Sequence, residues 1–584
     1  MNDLISVIER RFTLFVGLFL AALTMVLYQH ALNSGFFLDD ATSIRVEPLM
    51  LQPDILPLYE KFKLRFLGYL SFWVSYQISG EDPAAFRLVN FVIHAVNGLL
   101  VYLLSYRLFA LLGDAESQKS THKWVALLVA ALFIAHPLQT QAVTYIVQRL
   151  ASLMTLFYLA ALIAWVEVFR SRSIGTRAIW LTLFAGLFLA SCYTKQNAFT
   201  LPIVLVLMEL LIFRRLTAKH WSAIGVIGLI FALVTVVFVP DIWATVDRLT
   251  RETPDITRWE YFTHQWVILW MYLGKVIWPY PQLLDYGVAL HSFYTWMFIL
   301  GGLGHLVVLV LGLAGARRLP LVAFGVLFFY AVHSVESGLI PIRDLVFEHR
   351  NYLPLFGVFF SAGAALIASA NHYPLVLKRA KWLSIAILIF FAQVTWARNQ
   401  MWAEQETLLK QDVAHNPENV RALYNLALWY QRNDRYDQSM ETMKALVKAN
   451  NGQLNLLHAT TYVATLIDLQ LFDLALNLLD KLLESNMKPL ARAAFLRQYA
   501  TVLTGKADDE AAADVFEEAM RLAPLDYDSG LAYGYSLIQL GRLEEANKEI
   551  NALRMRFGER TRLRMLDRVL QNKVQELGQE TRRQ

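Results

Sequence analysis

The chain of 584 residues is 56% hydrophobic and 17% charged, with a mean hydropathy of +0.39. That balance excludes an ordinary soluble enzyme and marks a polytopic membrane protein. A net charge of +5 is no nucleic-acid signal here, because Lys and Arg gather at the ends of apolar segments, as membrane topology demands.

In chain order, Glu9, Arg10 and Arg11 precede an uncharged stretch from Phe12 to Leu38. It is long enough to span a bilayer, too long for a signal-peptide core, and expected to be retained. Apolar segments of spanning length follow this first one (12–32) at 88–112, 124–141, 142–168, 178–194, 198–213, 221–239, 295–315, 320–338, 351–370 and 382–396, which predicts about eleven spans. Residues 65–80 mix Arg65 with aromatics and suit an interfacial helix. Residues 265–280 are short, contain Lys275, and read as re-entrant or interfacial. Cys192, the single cysteine, lies in an apolar run, so no intrachain disulfide is possible and the compartment is not readable from redox chemistry.

With the N-terminus in the cytoplasm and 265–280 not crossing, alternate loops on that side are basic: Arg10 and Arg11; Arg107, Lys119 and Lys123; Arg170, Arg172 and Arg177; Arg214, Arg215 and Lys219; Arg317 and Arg318; Lys378, Arg379 and Lys381. This topology puts Asp39, the loop after His136, Lys195, 240–264, 339–350 and everything after Trp396 on the outer face.

The sequence divides into a membrane domain, 1–396, and a polar domain, 397–584, in which hydropathy collapses and helical repeats of roughly tetratricopeptide (TPR) length appear. Leu423, Leu426, Ala427, Tyr430, Tyr436 and Ser439 occupy the packing positions of one repeat, and Leu496, Ala500, Leu503, Ala512, Phe516, Ala519 and Pro524 those of another. Residues 451–486 form a degenerate repeat, and Gly530, Gly534, Gly541 and Ala546 mark a last one. Such an array either docks a peptide or protein or serves as a scaffold.

The expected outer face collects polar groups. Asp39 and Asp40 stand at the mouth of the first span, where carboxylates are costly to desolvate and suit surface chemistry, or else mark the interface and cap the next helix. His136, Gln139 and Arg149 surround a helix break at Pro137. Lys195 lies between two spans, where snorkelling is the alternative. Phe347-Glu348-His349-Arg350-Asn351-Tyr352 is the densest cluster. Acids with several cations at a membrane surface suit a lipid phosphate or diphosphate leaving group better than an ion path: Arg and Lys neutralise developing phosphate charge, and a carboxylate deprotonates a hydroxyl. Adjacent carboxylates also raise one another's pKa or hold a divalent cation.

Phe37-Leu38-Asp39-Asp40, Arg65-Phe66-Leu67, Phe86-Arg87-Leu88-Val89-Asn90, His136-Pro137-Leu138-Gln139, Thr194-Lys195-Gln196-Asn197, Leu284-Asp285-Tyr286 and Phe347-Glu348-His349-Arg350-Asn351-Tyr352, followed by the repeats, resemble the TPR-containing glycosyltransferases related to the transmembrane O-mannosyltransferases. The resemblance covers nearly the whole chain. It implies an all-α GT-C helix bundle followed by a TPR solenoid, a polyprenyl-phosphate sugar donor, and catalysis by the first-loop acids, here Asp39 and Asp40, which would also be the ligands of any divalent metal. Lys195, His349 and Arg350, with Arg65 and Arg149, would hold the donor phosphate, and His136, Gln139 and Glu348 are further site candidates. The chain departs from the pattern at Phe66, where proline is common, and at Gln196, where glutamate is common. It looks like a bacterial inner-membrane member with its repeats in the periplasm. The acceptor is then a protein Ser or Thr, docked by the repeats, or alternatively an envelope glycan or lipid. A non-enzymatic TPR anchor and a lipid-linked sugar transporter are the remaining alternatives.

Overall fold

The computed structural model describes residues 2–112, 116–214, 253, 256–288 and 293–583. Their regular structure is helical throughout, and the chain divides into two compact units, Met1–Leu408 and Leu409–Gln584.

The first unit is built on α1 (Asn2–Tyr28), α2 (Phe66–Ser79), α3 (Pro83–Phe109), α4 (Glu116–Ala135), α5 (Arg149–Arg170), α6 (Ile174–Cys192), α7 (Arg258–Ile277), α8 (Thr295–Gly315), α9 (Pro320–His333), α10 (Pro354–His372) and α11 (Pro374–Ala403). It is a multi-pass membrane protein, but not with eleven spans. Among the described residues seven helices are long and apolar enough to cross, or up to eight if the bent pair Gln118–Ala135 and Pro137–Thr144 is one span. The surplus came from apolar runs that are not continuous helices. The run 320–338 forms only the 14 residues of α9 before turning at Ser334, about 21 Å of rise against a core of about 30 Å. The run 351–370 starts its helix only at Pro354. The expected span 221–239 lies outside the described residues.

Residues 65–80 form α2, of 14 residues. The 265–280 stretch lies in α7, whose 20 residues include Arg258, Glu260 and Lys275 and which is not among the spanning helices.

The core of this unit is a continuous cluster of buried aliphatic and aromatic side chains from α1, α3, α4, α5, α9 and α10. Its tightest seam joins α9 to α10. A Cβ built on Gly325 would lie 2.5 Å from the Gly357 carbonyl oxygen, and one on Gly357 would lie 2.6 Å from that of Gly325. Glycine is required at both positions because the backbones touch. Gly357→Val should therefore force the pair apart at a cost of about 1–3 kcal/mol, the usual range for overpacking, read as a lower unfolding midpoint in detergent. An unchanged midpoint would show that the seam tolerates side chains.

In the second unit, successive helices of 12 to 17 residues between Val420 and Phe557 pack against their chain neighbours, the nearest-neighbour logic of a solenoid. Alternate helices begin at Val420, Leu456, Pro489 and Tyr527, a repeat near the ~34 residues of the tetratricopeptide unit. Leu423, Leu426, Ala427, Tyr430, Leu496, Ala500, Ala512, Phe516, Ala519 and Ala546 all point inward, while Pro524 and Gly541 are exposed.

Candidate functional site

The two adjacent acids face different ways. Asp40 is fully buried: its Oδ1 accepts from the Val147 backbone N–H at 2.7 Å and its Oδ2 from that of Phe37 at 3.1 Å. Asp39 is exposed, and its backbone N–H donates to the Tyr145 hydroxyl at 2.9 Å. Arg87, also buried, braces the loop from below by donating to the carbonyls of Ser34, Gly35 and Thr144. The pair therefore divides its labour, with Asp40 fastening the loop and Asp39 facing out. A cation held between both carboxylates does not fit this arrangement, since both Asp40 oxygens are directed at backbone donors within the protein.

Burial pushes the Asp40 carboxyl up to about 7, and the charge of Asp39 adds to the rise; the two N–H donors and Arg87 oppose it. Protonation thus favours the folded state. This contribution is complete below the ordinary value of 3.8 and lost as the pH climbs through about 7. Asp40→Asn should flatten that slope. It should also cost about 1–3 kcal/mol, because an amide offers one acceptor oxygen where two buried donors need partners. Unfolding midpoints between pH 4 and pH 8, a window around these values, check both statements, and a slope unchanged in the variant would assign the titration to another group.

A second cluster surrounds a small cavity lined by Ala151, Met154 and Thr155 of α5, Lys195 and Asn197 after α6, Val332 and Glu336 at the end of α9, and His349, Arg350 and Tyr352 before α10. Lys195 Nζ contacts Glu336 Oε1 at 2.7 Å, and both side chains are about nine-tenths buried, at 11% and 9% exposure. Burial alone would raise the Glu336 carboxyl, but the charges of Lys195 and Arg350 hold it below the usual carboxylate range. His349 directs its backbone N–H and its Nδ1 to the Gln141 Oε1, at 2.9 and 3.0 Å. Burial and the nearby Lys195 keep its imidazole neutral. Arg350 lines the cavity while donating to the carbonyls of Leu345 and Asp344, at 2.9 and 2.7 Å.

Both clusters sit at one end of α5. Asp40 is pinned at Val147, just before the helix, and the cavity is walled by its first two turns, about 10 Å away at the helical rise. Arg65 is exposed but close in the chain to Leu67, whose N–H donates at 3.0 Å to the carbonyl of Tyr193. That places the Arg65 turn beside the Lys195 loop.

The remaining expected ligands are occupied elsewhere. Arg149, fully buried, donates to Asn90 Oδ1 at 2.6 Å, to the carbonyls of Ser71 and Phe86 at 2.9 and 2.8 Å, and to Ser75 Oγ at 3.0 Å. Those are protein acceptors, so Arg149 ties α2, α3 and α5 together. His136 caps its own turn through the Leu138 N–H at 3.2 Å and reaches the Val276 carbonyl at 3.0 Å. Gln139 donates to the Tyr352 carbonyl at 3.4 Å. Glu348 accepts from the Leu283 N–H at 3.1 Å and from the Tyr286 hydroxyl, and does not line the cavity. Sequence reasoning missed Glu336, Tyr145 and Arg87 as site residues. Glu336 did leave a signal: it is a lone acid at the end of an apolar run, as Lys195 is a lone base, and such charges need partners.

No family model matches the chain. It is 23% identical over 438 residues to "Protein O-mannosyl-transferase F38B6.6" of Caenorhabditis elegans, covering 70% of this chain and 59% of that protein. It is 23% identical over 501 residues to human "Protein O-mannosyl-transferase TMTC3", covering 74% and 50%. Against "Protein O-mannosyl-transferase Tmtc2" of Drosophila melanogaster it is 30% identical over 219 residues, covering 34% and 22%. Its relatives are protein O-mannosyl-transferases. The chain spans about three fifths or less of the length of each of these O-mannosyl-transferases.

Proposed function

We propose that the protein transfers a sugar from a polyprenyl-phosphate donor to a hydroxyl group, that of a protein Ser or Thr, at the outer face of a bacterial inner membrane, with the helical repeats docking the acceptor. The observation that carries this reading is the pairing of an exposed carboxylate, Asp39, with a cavity of buried cations at the same end of α5. Asp39 removes the proton of the acceptor hydroxyl. The acceptor oxygen then bonds to the anomeric carbon as the bond from that carbon to the phosphate oxygen breaks, and the charge left on the lipid phosphate is met by Lys195 and Arg350. Named similarity to the O-mannosyl-transferases supports the acceptor class and the reaction.

The test is transfer by the purified full chain in nanodiscs, with a short-chain polyprenyl-phosphate mannose as donor and a Ser/Thr-rich peptide as acceptor, read by mass spectrometry. Lys195→Met should raise the donor KM about tenfold or more, the scale on which a charge-assisted contact acts, and leave the acceptor KM near wild type. A rise confined to the acceptor KM would assign Lys195 to the acceptor side, and no transfer of any sugar would remove the reading.

A further inference from the structure

The titratable residues lining the cavity are Lys195, Glu336, His349, Arg350 and Tyr352. Two are cations, one is an anion, and the phenol and the imidazole are neutral, so the cavity carries one net positive charge. Its free space is about 10 Å³, room for about one water molecule, so a phosphate reaches Lys195 and Arg350 only as the side chains lining the cavity move apart. Glu336 sits on Lys195 at 2.7 Å, so an incoming anion must share or take over that ammonium group while a fixed carboxylate remains beside it. The backbone that carries this carboxylate is held in place: the turn with Glu336 follows α9 directly and is tied back by the Ser337 N–H donating to the His333 carbonyl at 2.7 Å.

We infer that Glu336 is a specificity-determining residue, which restricts the cavity to anions of a single charge and so selects a monophosphate-linked lipid over a diphosphate-linked one. The inference rests on the cavity being the donor site. A phosphodiester carries one negative charge, which the net charge of the cavity matches. A lipid diphosphate carries about two to three near neutral pH and would hold its extra charge against Glu336, a like-charge contact that suppresses the wrong partner.

The experiment measures dissociation constants of the full chain in nanodiscs for the methyl ester of farnesyl phosphate, for farnesyl diphosphate and for inorganic phosphate. In the wild type the diester should bind about tenfold more tightly than the diphosphate. Glu336→Gln should tighten the diphosphate and narrow the ratio by about the same factor. Glu336→Asp, which keeps the charge, should leave the ratio near that of the wild type and guards against a variant that loses the fold. A ratio unchanged in Glu336→Gln overturns the inference while leaving the donor site intact. Absence of binding by either lipid to the wild type overturns the donor-site reading and the inference with it. Inorganic phosphate binding as tightly as the diester overturns the assignment to a lipid headgroup.

Discussion

Asp39→Asn is expected to lower the transfer rate on the order of 10²–10⁴-fold, the usual contribution of a positioned general base, while leaving donor affinity and the unfolding midpoint near wild type. The side chain is exposed, and the turn around it is held by the Asp40 carboxylate, by the Asp39 backbone N–H on Tyr145 and by Arg87, all of which remain in the variant. Removing the charge therefore removes chemistry without loosening the loop. The informative comparison is with Asp40→Asn, in which lost activity should travel with lost stability. If Asp39→Asn turns over at the wild-type rate, the exposed acid is interface decoration and the base lies elsewhere.

Arg149→Ala is expected to be the most damaging single change to the fold. The guanidinium serves buried acceptors on Ser71, Ser75, Phe86 and Asn90 and lies over the Phe72 ring at 4.8 Å from its centroid. A buried acceptor left without a donor, as Asn90 Oδ1 would be, costs about 1–3 kcal/mol, and the space left beside Phe72 and Phe86 adds about 2–5 kcal/mol more, a large share of the 5–15 kcal/mol that is roughly the whole stability of a typical domain. The variant should fail to accumulate as a monodisperse protein. Arg149→Lys should recover little, because an ammonium group cannot span the same fork of acceptors. Size-exclusion profiles and melting in detergent decide this, and a monodisperse Arg149→Ala protein with wild-type melting would return Arg149 to the list of ligand-binding candidates.

Much of the helical membrane architecture was legible in the sequence because apolar length is a strong signal, and the first loop was legible because two acids at the end of a span are conspicuous. The division between those acids was not. Asp39 and Asp40 differ only in which of them meets the N–H groups of Val147 and Phe37, and that depends on a turn more than a hundred residues away in sequence. The same limit explains Arg149 and Arg350: an arginine near apolar sequence needs partners, but sequence does not say whether they are backbone carbonyls or a ligand. The span count erred where hydropathy runs through a turn, as at Ser334, because composition reports burial and not chain direction. Glu336 and Lys195 lie in different segments whose pairing exists only after folding.

The contact of Gly325 with Gly357 bears on mechanics as well as packing. It makes α9 and α10 a single stiff lever whose free end carries Glu336 on one arm and His349 with Arg350 on the other, whereas Lys195 belongs to the loop after α6. The separation of Glu336 from Arg350 is thus set by the lever, and the separation of Glu336 from Lys195 by how the lever rests against the segment after α6, residues 196–213. A methyl group added at Gly325, about 12 Å along the helix from His333 at the rise of an α-helix, would act at the fulcrum and be felt as an altered charge spacing at the tip.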